Sequence, residues 1–127
     1  MSELLLDASA LLAYLQAEPG KEIVEPSLPK SLISSVNYAE AVSVLINKGV
    51  EAQIAVDMAD GVGLRIAPLT AEEARLAGAL RGRTSRFNIS LADRCCLAAA
   101  MLRTLPVLTA DREWLKLGLG VEVRMIR

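Results

Sequence analysis

The sequence contains no histidine, and this absence removes the residue that most often transfers protons near neutral pH and most often binds zinc. A Ser-His-Asp or Cys-His catalytic centre is therefore excluded. The two cysteines, Cys95 and Cys96, are neighbours, which disfavours a disulfide between them and leaves too few thiolates for a zinc site. Free thiols are typical of a reducing compartment, so we expect a cytoplasmic protein.

Aromatic residues are scarce at 3% of the 127 residues, whereas 53% are hydrophobic, so aliphatic side chains and alanine must form the core. A mean hydropathy of +0.37 excludes a disordered or low-complexity chain. Apolar runs are far shorter than the roughly 18 residues that cross a bilayer, and Met1-Ser2-Glu3 lacks the basic region of a secretory signal. We expect a single domain over residues 1–127, with no membrane association.

Neither sign of charge is in excess, because 14 Lys and Arg residues face 15 Asp and Glu residues for a net charge of -1. A nucleic-acid binder that works through an overall basic surface is therefore not indicated. A polyanionic substrate would need a local basic patch or metal ions.

Short apolar runs alternate with helical patterns, which predicts a three-layer α/β/α sandwich with a central, mostly parallel five-stranded sheet. The predicted strands are 4–6, 32–33, 64–67, 106–109 and 121–126. The predicted helices are 10–15, 21–25, 35–48, 51–60, 71–81, 91–103 and a turn or two over 112–117, with a polar stretch over 82–88. In such folds functional groups gather beyond the carboxyl ends of the strands, where the strand order reverses.

Two aspartates follow predicted strands directly. Asp7 ends the first strand, and Asp111 comes just after the fourth. If these strands are neighbours, both carboxylates share one crevice. The alternative is that each aspartate only caps the helix that follows it.

Asp93 lies in the first turn of the predicted helix 91–103, which is apolar on every side after that turn and should therefore be buried. A functional carboxylate at the end of a core helix is one interpretation. The other is a capping box, because Ser90 precedes Asp93 by three residues.

Glu40 has the weakest local evidence, since a rotation of 100° per residue places it off the predicted apolar stripe of its helix. The stripe contains Ala39, Val42, Leu45 and Ile46, and Glu40 lies on the other side with Asn37, Val44 and Asn47. This pattern alone favours a solvated surface glutamate. Its position in the second turn after the second strand nevertheless keeps it near the strand ends.

Four acids at strand-to-helix junctions together describe an acidic pocket. Two carboxylates ~5 Å apart repel by about 3 kcal/mol at an effective dielectric constant near 20, so such a pocket needs protons or cations. Oxygen ligands without histidine or cysteine favour Mg²⁺ or Mn²⁺.

These four acids lie in segments that resemble the acidic motifs of PIN-domain ribonucleases, and the chain length resembles the VapC-type toxins of toxin-antitoxin pairs. The segments are Leu5-Leu6-Asp7-Ala8-Ser9, Ser35-Val36-Asn37-Tyr38-Ala39-Glu40, Ser90-Leu91-Ala92-Asp93 and Leu108-Thr109-Ala110-Asp111-Arg112-Glu113-Trp114. Trp114 stands where the family usually has phenylalanine. The resemblance implies a catalytic, metal-binding set in which Asp7 and Asp93 are the principal ligands and Glu40 and Asp111 complete it.

The same resemblance implies that Ser9 and Thr109 support the carboxylates by hydrogen bonds, although each hydroxyl is also a candidate cap. It implies hydrolysis of RNA phosphodiester bonds with Mg²⁺ or Mn²⁺, and a cognate antitoxin that covers the site. The aliphatic composition adds the expectation of a homodimer. A basic group near the Asp93 helix is a candidate for RNA contacts or only a solvated loop; it contains Arg81, Arg83, Arg86 and Arg94.

Two other functions remain open from the sequence. One is a catalytically inactive PIN-like module that binds nucleic acid or protein. The other is a receiver-like phosphoacceptor domain, which also gathers aspartates around Mg²⁺ at strand ends, but the sequence has neither paired acids after the first strand nor a lysine on the last short strands.

Overall fold

The computed structural model describes residues 3–127, which form both helices and β-strands. The strands are β1 (Leu4–Leu6), β2 (Ser31–Ser34), β3 (Arg65–Ala67), β4 (Val107–Thr109) and β5 (Val123–Met125). The α-helices are α1 (Ala8–Leu15), α2 (Lys21–Val24), α3 (Ser35–Asn47), α4 (Ala52–Asp60), α5 (Ala71–Thr84) and α6 (Leu91–Arg103). Two 3₁₀ segments span Glu25–Lys30 and Arg112–Lys116.

The five strands form one parallel sheet in the order β3-β2-β1-β4-β5, which confirms the predicted fold class. β1 lies at the centre between β2 and β4, so the direction of strand addition reverses beside β1. The carboxyl ends of all five strands share one edge of the sheet because every pair is parallel. That edge, beside β1 and β4, is where a parallel sheet of this kind opens a crevice.

Alternate residues of the strands pack against different helices. Leu5 belongs to the core beneath α5 and α6, whereas Leu4 and Leu6 belong to the opposite core, which α1 helps to form. This alternation follows from the two-residue period of a strand. Because both faces are covered, every residue of β1 is buried, and the continuous Leu-Leu-Leu run is what such a strand requires.

The predicted burial of helix 91–103 holds for its middle, whereas Leu91 and Leu102 near its two ends are exposed. Six consecutive residues of α6, from Cys95 to Ala100, are buried. The helix packs against α5 and α3 and against β1 and β2. Its amino terminus therefore lies where core packing fixes the position of its first turn.

α5 is longer than the sequence pattern predicted, because it continues beyond residue 81 to Thr84 and so takes up the start of the stretch 82–88. Arg81 and Arg83 lie in its last turn, where positive charge interacts favourably with the helix dipole. Thr84 is buried, and its hydroxyl donates to the Leu80 carbonyl at 2.9 Å. These contacts satisfy a final turn that contains Gly82.

Two other segments differ from the predicted bounds. The helical chain continues beyond the predicted helix 21–25, because Pro26 and Pro29 both lie inside the 3₁₀ segment Glu25–Lys30. Pro26 stands near the start of that segment, where its missing N–H is not needed. The last strand is shorter than the predicted 121–126, because only Val123–Met125 pairs with β4.

The buried face of α3 differs from the predicted apolar stripe. Ala39 and Ile46 are exposed, whereas Asn37 is fully buried together with Ala41 and Leu45. The buried residues recur every four positions and face α1, α4 and α6. Contacts with these three helices decided the orientation of α3, and the hydrophobicity of its own residues did not reveal it.

Within residues 3–127, none of the helices is both long enough and apolar enough to cross a membrane. The expectation of a single domain over residues 1–127 stays a prediction, and Met1 and Ser2 lie outside the described residues.

Candidate active site

A cavity of about 190 Å³ opens at the carboxyl edge of the sheet and brings together the four acids singled out from the sequence. Its walls are formed by Asp7, Ala8, Ser9, Leu12, Glu40, Val44, Asp93 and Asp111. The acids come from four different junctions: β1 to α1, the second turn of α3, the start of α6, and the chain after β4. The parallel sheet is the reason that residues so far apart in sequence meet.

Asp7 is the most deeply buried of the four acids, with 4% exposure. Its Oδ1 accepts hydrogen bonds from the Ser9 hydroxyl at 2.7 Å and from the Ala10 N–H at 2.9 Å. Its Oδ2 accepts from the Thr109 hydroxyl at 2.6 Å. Burial raises the pKa of Asp7 from 3.8 to about 6, although the hydrogen bonds from Thr109 and Ser9 lower it.

Ser9 and Thr109 also tie the ends of β1 and β4 together. The Ser9 hydroxyl accepts from the Ala110 N–H at 2.9 Å, and the Thr109 hydroxyl accepts from the Asp111 N–H at 3.0 Å. Each hydroxyl thus donates to Asp7 and accepts from the backbone that leads to Asp111. Their geometry matches the supporting hydrogen bonds expected from the sequence.

Asp93 caps a helix and lines the cavity at the same time. Its Oδ2 accepts from the Ser90 N–H at 3.0 Å, and its own N–H donates to the Ser90 hydroxyl at 3.1 Å, which completes a capping box. Burial raises the pKa of Asp93, and the hydrogen bonds from Ser90 oppose this. The negative charge of Asp111 raises it further, whereas Arg94 lowers it.

Glu40 is half-buried and lines the cavity, so the surface position that its local pattern favoured is wrong. Its Oε1 accepts from the Asn37 amide at 3.4 Å. Burial raises the pKa of Glu40, the Asn37 hydrogen bond lowers it, and the charge of Asp93 raises it. The charge of Asp93 thus raises the pKa of both Asp7 and Glu40, and the charge of Asp111 raises the pKa of Asp93.

Asp111 caps the 3₁₀ segment after β4, because its Oδ1 accepts from the Glu113 N–H at 3.0 Å. Trp114, the aromatic residue of the same segment, is buried in the core on the α5 and α6 side of the sheet. This packing anchors the segment that carries Asp111.

The four arginines suggested for RNA contacts are outside the residues that line this cavity. Arg81 and Arg83 lie on α5 and Arg86 follows it, and all three are exposed. Arg94, on α6 beside Asp93, is half-buried, and its Nε donates to the Ala77 carbonyl at 3.0 Å. The expected solvated loop is in part the last turn of a helix.

The carboxylates keep acceptor capacity for a cation. Among residues 3–127, Glu40, Asp93 and Asp111 each use one oxygen in the hydrogen bonds described above, and the second oxygen receives none. An ionised carboxylate has about four acceptor sites, so Asp7, which receives three hydrogen bonds, retains one.

All donors in this set are oxygens, which hard divalent cations prefer as ligands. Burial raises the pKa of three of the four acids, so their ionised forms are unfavourable unless a cation neutralises them. Within the described part of the chain, however, no three acidic or cysteine side chains are close enough to form a ready metal centre. The acids share a cavity without converging on one point.

One polar residue beside the cavity was not selected from the sequence as a site residue. Asn37 is fully buried and contacts Glu40 and the backbone of Ala92, which precedes Asp93. Its spacing of three residues before Glu40 was the available signal, since residues three apart on a helix are neighbours. The cavity also has an apolar wall of Ala8, Leu12 and Val44.

The strand order of the parallel sheet reverses beside a cluster of four carboxylates. The sequence matches the PIN domain family over residues 4–119, and the chain belongs to that family. The resemblance noted in the four acidic segments is thereby confirmed.

Solved structures of toxin-antitoxin proteins share the fold. DNA-bound VapBC from Salmonella typhimurium is 19% identical with a TM-score of 0.80, and the match covers 100% of both chains. VapC20 from Mycobacterium tuberculosis, a sarcin-ricin loop cleaving toxin, is 19% identical with a TM-score of 0.79 over 95% of this chain and 98% of that one. VapBC-5 from the same organism is 22% identical with a TM-score of 0.68, over 100% and 99%. The sequence matches no curated protein at a significant level.

Proposed function

We propose that this protein is a metal-dependent ribonuclease that hydrolyses RNA phosphodiester bonds and serves as the toxin of a toxin-antitoxin pair. One observation carries the proposal: four carboxylates from four separate junctions line a single cavity at the carboxyl edge of the sheet. The similar solved structures, which include toxin-antitoxin systems and a sarcin-ricin loop cleaving toxin, support it.

In this proposal Asp7, Glu40, Asp93 and Asp111 hold one or two divalent ions. Mg²⁺ or Mn²⁺, when bound, supplies Lewis acidity that activates water and polarises the phosphate. Asp7 contributes the acceptor site that Thr109 and Ser9 leave available, and these hydroxyls fix its orientation. Histidine is not required, because the carboxylates bind the cation and the reaction does not depend on an imidazole.

The exposed arginines of α5 and of the chain after it are the candidates for contacts with RNA phosphates away from the cleaved bond. Arg81, Arg83 and Arg86 would position the strand, since phosphate contacts orient a nucleic acid without reading its sequence. Arg94 lies next to Asp93, and its Nε is held by the Ala77 carbonyl. This hydrogen bond fixes the Nε end of the Arg94 guanidinium group, on the residue next to Asp93.

The proposed partners are RNA, a cognate antitoxin and a second copy of the chain, in the cytoplasm. Several large apolar side chains are exposed and would be covered in such complexes: Ile23, Ile46, Ile54, Ile66, Leu91, Leu102 and Leu115. Leu91 is next to Ser90 at the amino terminus of α6, the helix whose first turn also carries Asp93.

The decisive experiment is cleavage of purified structured RNA by purified protein in Mg²⁺, in Mn²⁺ and in excess EDTA. We expect cleavage only with the metals, and products with 5′-phosphate and 3′-hydroxyl ends because water is the nucleophile. Substitution of a residue that only orients a metal ligand typically lowers activity about 10- to 100-fold, so Asp7→Asn or Asp93→Asn should lower it further.

Glu122→Gln is the matched control, since Glu122 is an exposed acid before β5, at the opposite edge of the sheet. This variant should cleave RNA like the wild type. Undiminished cleavage in EDTA, or cyclic 2′,3′-phosphate ends, would contradict the proposed chemistry. A wild-type protein that binds Mn²⁺ and leaves RNA intact would favour the inactive PIN-like binding module instead.

A further inference from the structure

Asn37 is a fully buried amide that joins α3 to α6 beside the acidic cavity. Its Nδ2 donates to the Ala92 carbonyl at 3.1 Å and to Glu40 Oε1 at 3.4 Å. Ala92 lies 55 residues further along the chain and immediately before Asp93. One side chain therefore contacts the two segments that supply Glu40 and Asp93.

The identity of the amide atoms follows from these contacts. The atom that faces both a carbonyl oxygen and a carboxylate oxygen must be the NH₂ group, because an oxygen there would face two acceptors. Within residues 3–127, Oδ1 then accepts no hydrogen bond although it is buried. Asn37 thus keeps one satisfied donor group and one buried acceptor that has no partner.

This arrangement is unfavourable for packing alone. A buried acceptor without a hydrogen bond destabilises the folded state, and an apolar residue of the same shape would avoid that penalty. The buried hydroxyls of Ser31 and Thr84 differ, because each donates to a carbonyl only four residues earlier in the chain. The donor group of Asn37 reaches across the fold to the site instead.

We propose that Asn37 is a positioning residue that holds the Glu40 carboxylate against the first turn of α6 and so sets the distance between Glu40 and Asp93. The rotation of α3 that buries Asn37 also turns Glu40, one helical turn later, towards the cavity. The consequence for activity rests on the proposed function, but the bridge itself does not.

The test compares Asn37→Leu with wild type and with Ser31→Ala, a control that removes a buried hydroxyl at the amino edge of the sheet. For Asn37→Leu we expect a thermal midpoint in EDTA at or above that of wild type, because the unpartnered Oδ1 is removed. We also expect Mn²⁺ affinity by calorimetry to fall about 10-fold and kcat for RNA cleavage to fall about 10- to 100-fold, with KM unchanged.

Ser31→Ala should show the opposite pattern, with a lower thermal midpoint and wild-type Mn²⁺ affinity and kcat. Wild-type Mn²⁺ affinity in Asn37→Leu, or losses that only follow its thermal midpoint, would overturn the proposal. If Asn37→Leu does not fold, Asn37→Ala takes its place, because alanine leaves space and introduces no clash.

A further measurement needs neither metal nor RNA. In the NMR spectrum of the protein in EDTA, the side-chain NH₂ signals of Asn37 should shift in Glu40→Ala and stay in place in Ser31→Ala. Unchanged signals in Glu40→Ala would overturn the bridge. If wild type fails to cleave RNA while these signals shift, the proposed function fails and the positioning role stands.

Discussion

Asp7, Asp93 and Asp111 each accept a hydrogen bond from a nearby backbone N–H, and each also lines the cavity. The sequence had left capping and a functional cluster as alternatives. They coexist because a carboxylate has two oxygens and about four acceptor sites. One oxygen caps the helix start, while the other receives no hydrogen bond in Asp93 and Asp111 and only that of Thr109 in Asp7. At the scale of one residue, the capping hydrogen bond fixes the orientation of the carboxylate in the cavity wall.

Replacing Asp93 by asparagine separates the charge from the cap. The amide oxygen keeps the hydrogen bond from the Ser90 N–H, while the repulsion by the other acids disappears. In EDTA the free energy of unfolding of the variant should be about 1 kcal/mol higher than that of wild type. This gain is smaller than the repulsion between two isolated carboxylates because solvent and ions screen the site. In Mn²⁺ the order should reverse, because only wild type gains the full binding energy.

Melting temperatures of both proteins in EDTA and in Mn²⁺ check this prediction. Glu72→Gln is the control, since Glu72 is an exposed acid in the first turn of α5 and should lose only a small favourable dipole interaction in both buffers. An Asp93→Asn variant that melts below wild type by the same margin in both would show that Asp93 has no charge conflict to relieve.

The pKa of Asp7 predicts a pH dependence of the metal-free protein. Because burial raises that pKa from 3.8 to about 6, the folded state binds the proton more tightly than the unfolded state. The associated stability is fully present below about pH 4 and is lost as the pH rises through about 6. The free energy of unfolding should therefore decline by up to about 3 kcal/mol over this range.

Denaturant unfolding of wild type and Asp7→Asn from pH 4 to pH 7 in EDTA measures this effect. The variant should lack the Asp7 contribution, so the difference between the two proteins changes across the range. Asp57→Asn, at an exposed acid on α4, should run parallel to wild type. Parallel profiles for Asp7→Asn and wild type would rule out the raised pKa.

The four acids were predictable only as a set, because each aspartate taken singly also fitted a helix cap and the local pattern of Glu40 fitted a solvated surface. Asn37 was not predictable, since its burial depends on the approach of α6 from 55 residues away. The hydrophobic pattern of α3 placed Asn37 on the polar side, and only contacts with three other helices show that this side is covered.

α5 and α6 begin with the same device, and this allows a matched experiment at the scale of whole elements. Thr70 and Glu73 form a capping box on α5, as Ser90 and Asp93 do on α6. Thr70→Ala and Ser90→Ala should each lower the free energy of unfolding by about 1 kcal/mol. Only Ser90→Ala should also weaken Mn²⁺ binding and RNA cleavage, because only its box holds a cavity carboxylate.

Thermal unfolding, calorimetry with Mn²⁺ and cleavage rates of both variants check this prediction. Equal losses of cleavage in the two variants would indicate that activity follows general stability.

The ends of the helices and strands were harder to predict than their existence, because contacts with neighbouring elements decide where they end. The last turn of α5 depends on the buried contact between Thr84 and Leu80, and the length of β5 depends on its pairing with β4.

At the scale of the whole molecule, the proposed toxin role predicts an effect on cell growth. On the proposed function, expression of the chain alone should stop growth because uninhibited RNA cleavage is harmful, and expression of Asp93→Asn should not. Co-expression of a small partner that covers the cavity should restore growth. Growth curves with matched protein levels measure this, and normal growth with abundant wild-type protein would contradict the toxin role while leaving nuclease chemistry to the assay in vitro.

β1 is the first of the described strands and the central strand of the sheet, and its partner β4 comes much later in the chain. The hydrogen bond from Thr109 to Asp7 joins residues that are 102 positions apart, so it cannot form during most of synthesis. A growing polypeptide that ends before Val107 already carries Asp7, Glu40 and Asp93, yet it lacks the strand that pairs with the open side of β1. Contacts of such long range also slow folding. On the proposed ribonuclease function, we expect the acidic site to be complete only after synthesis has passed Asp111.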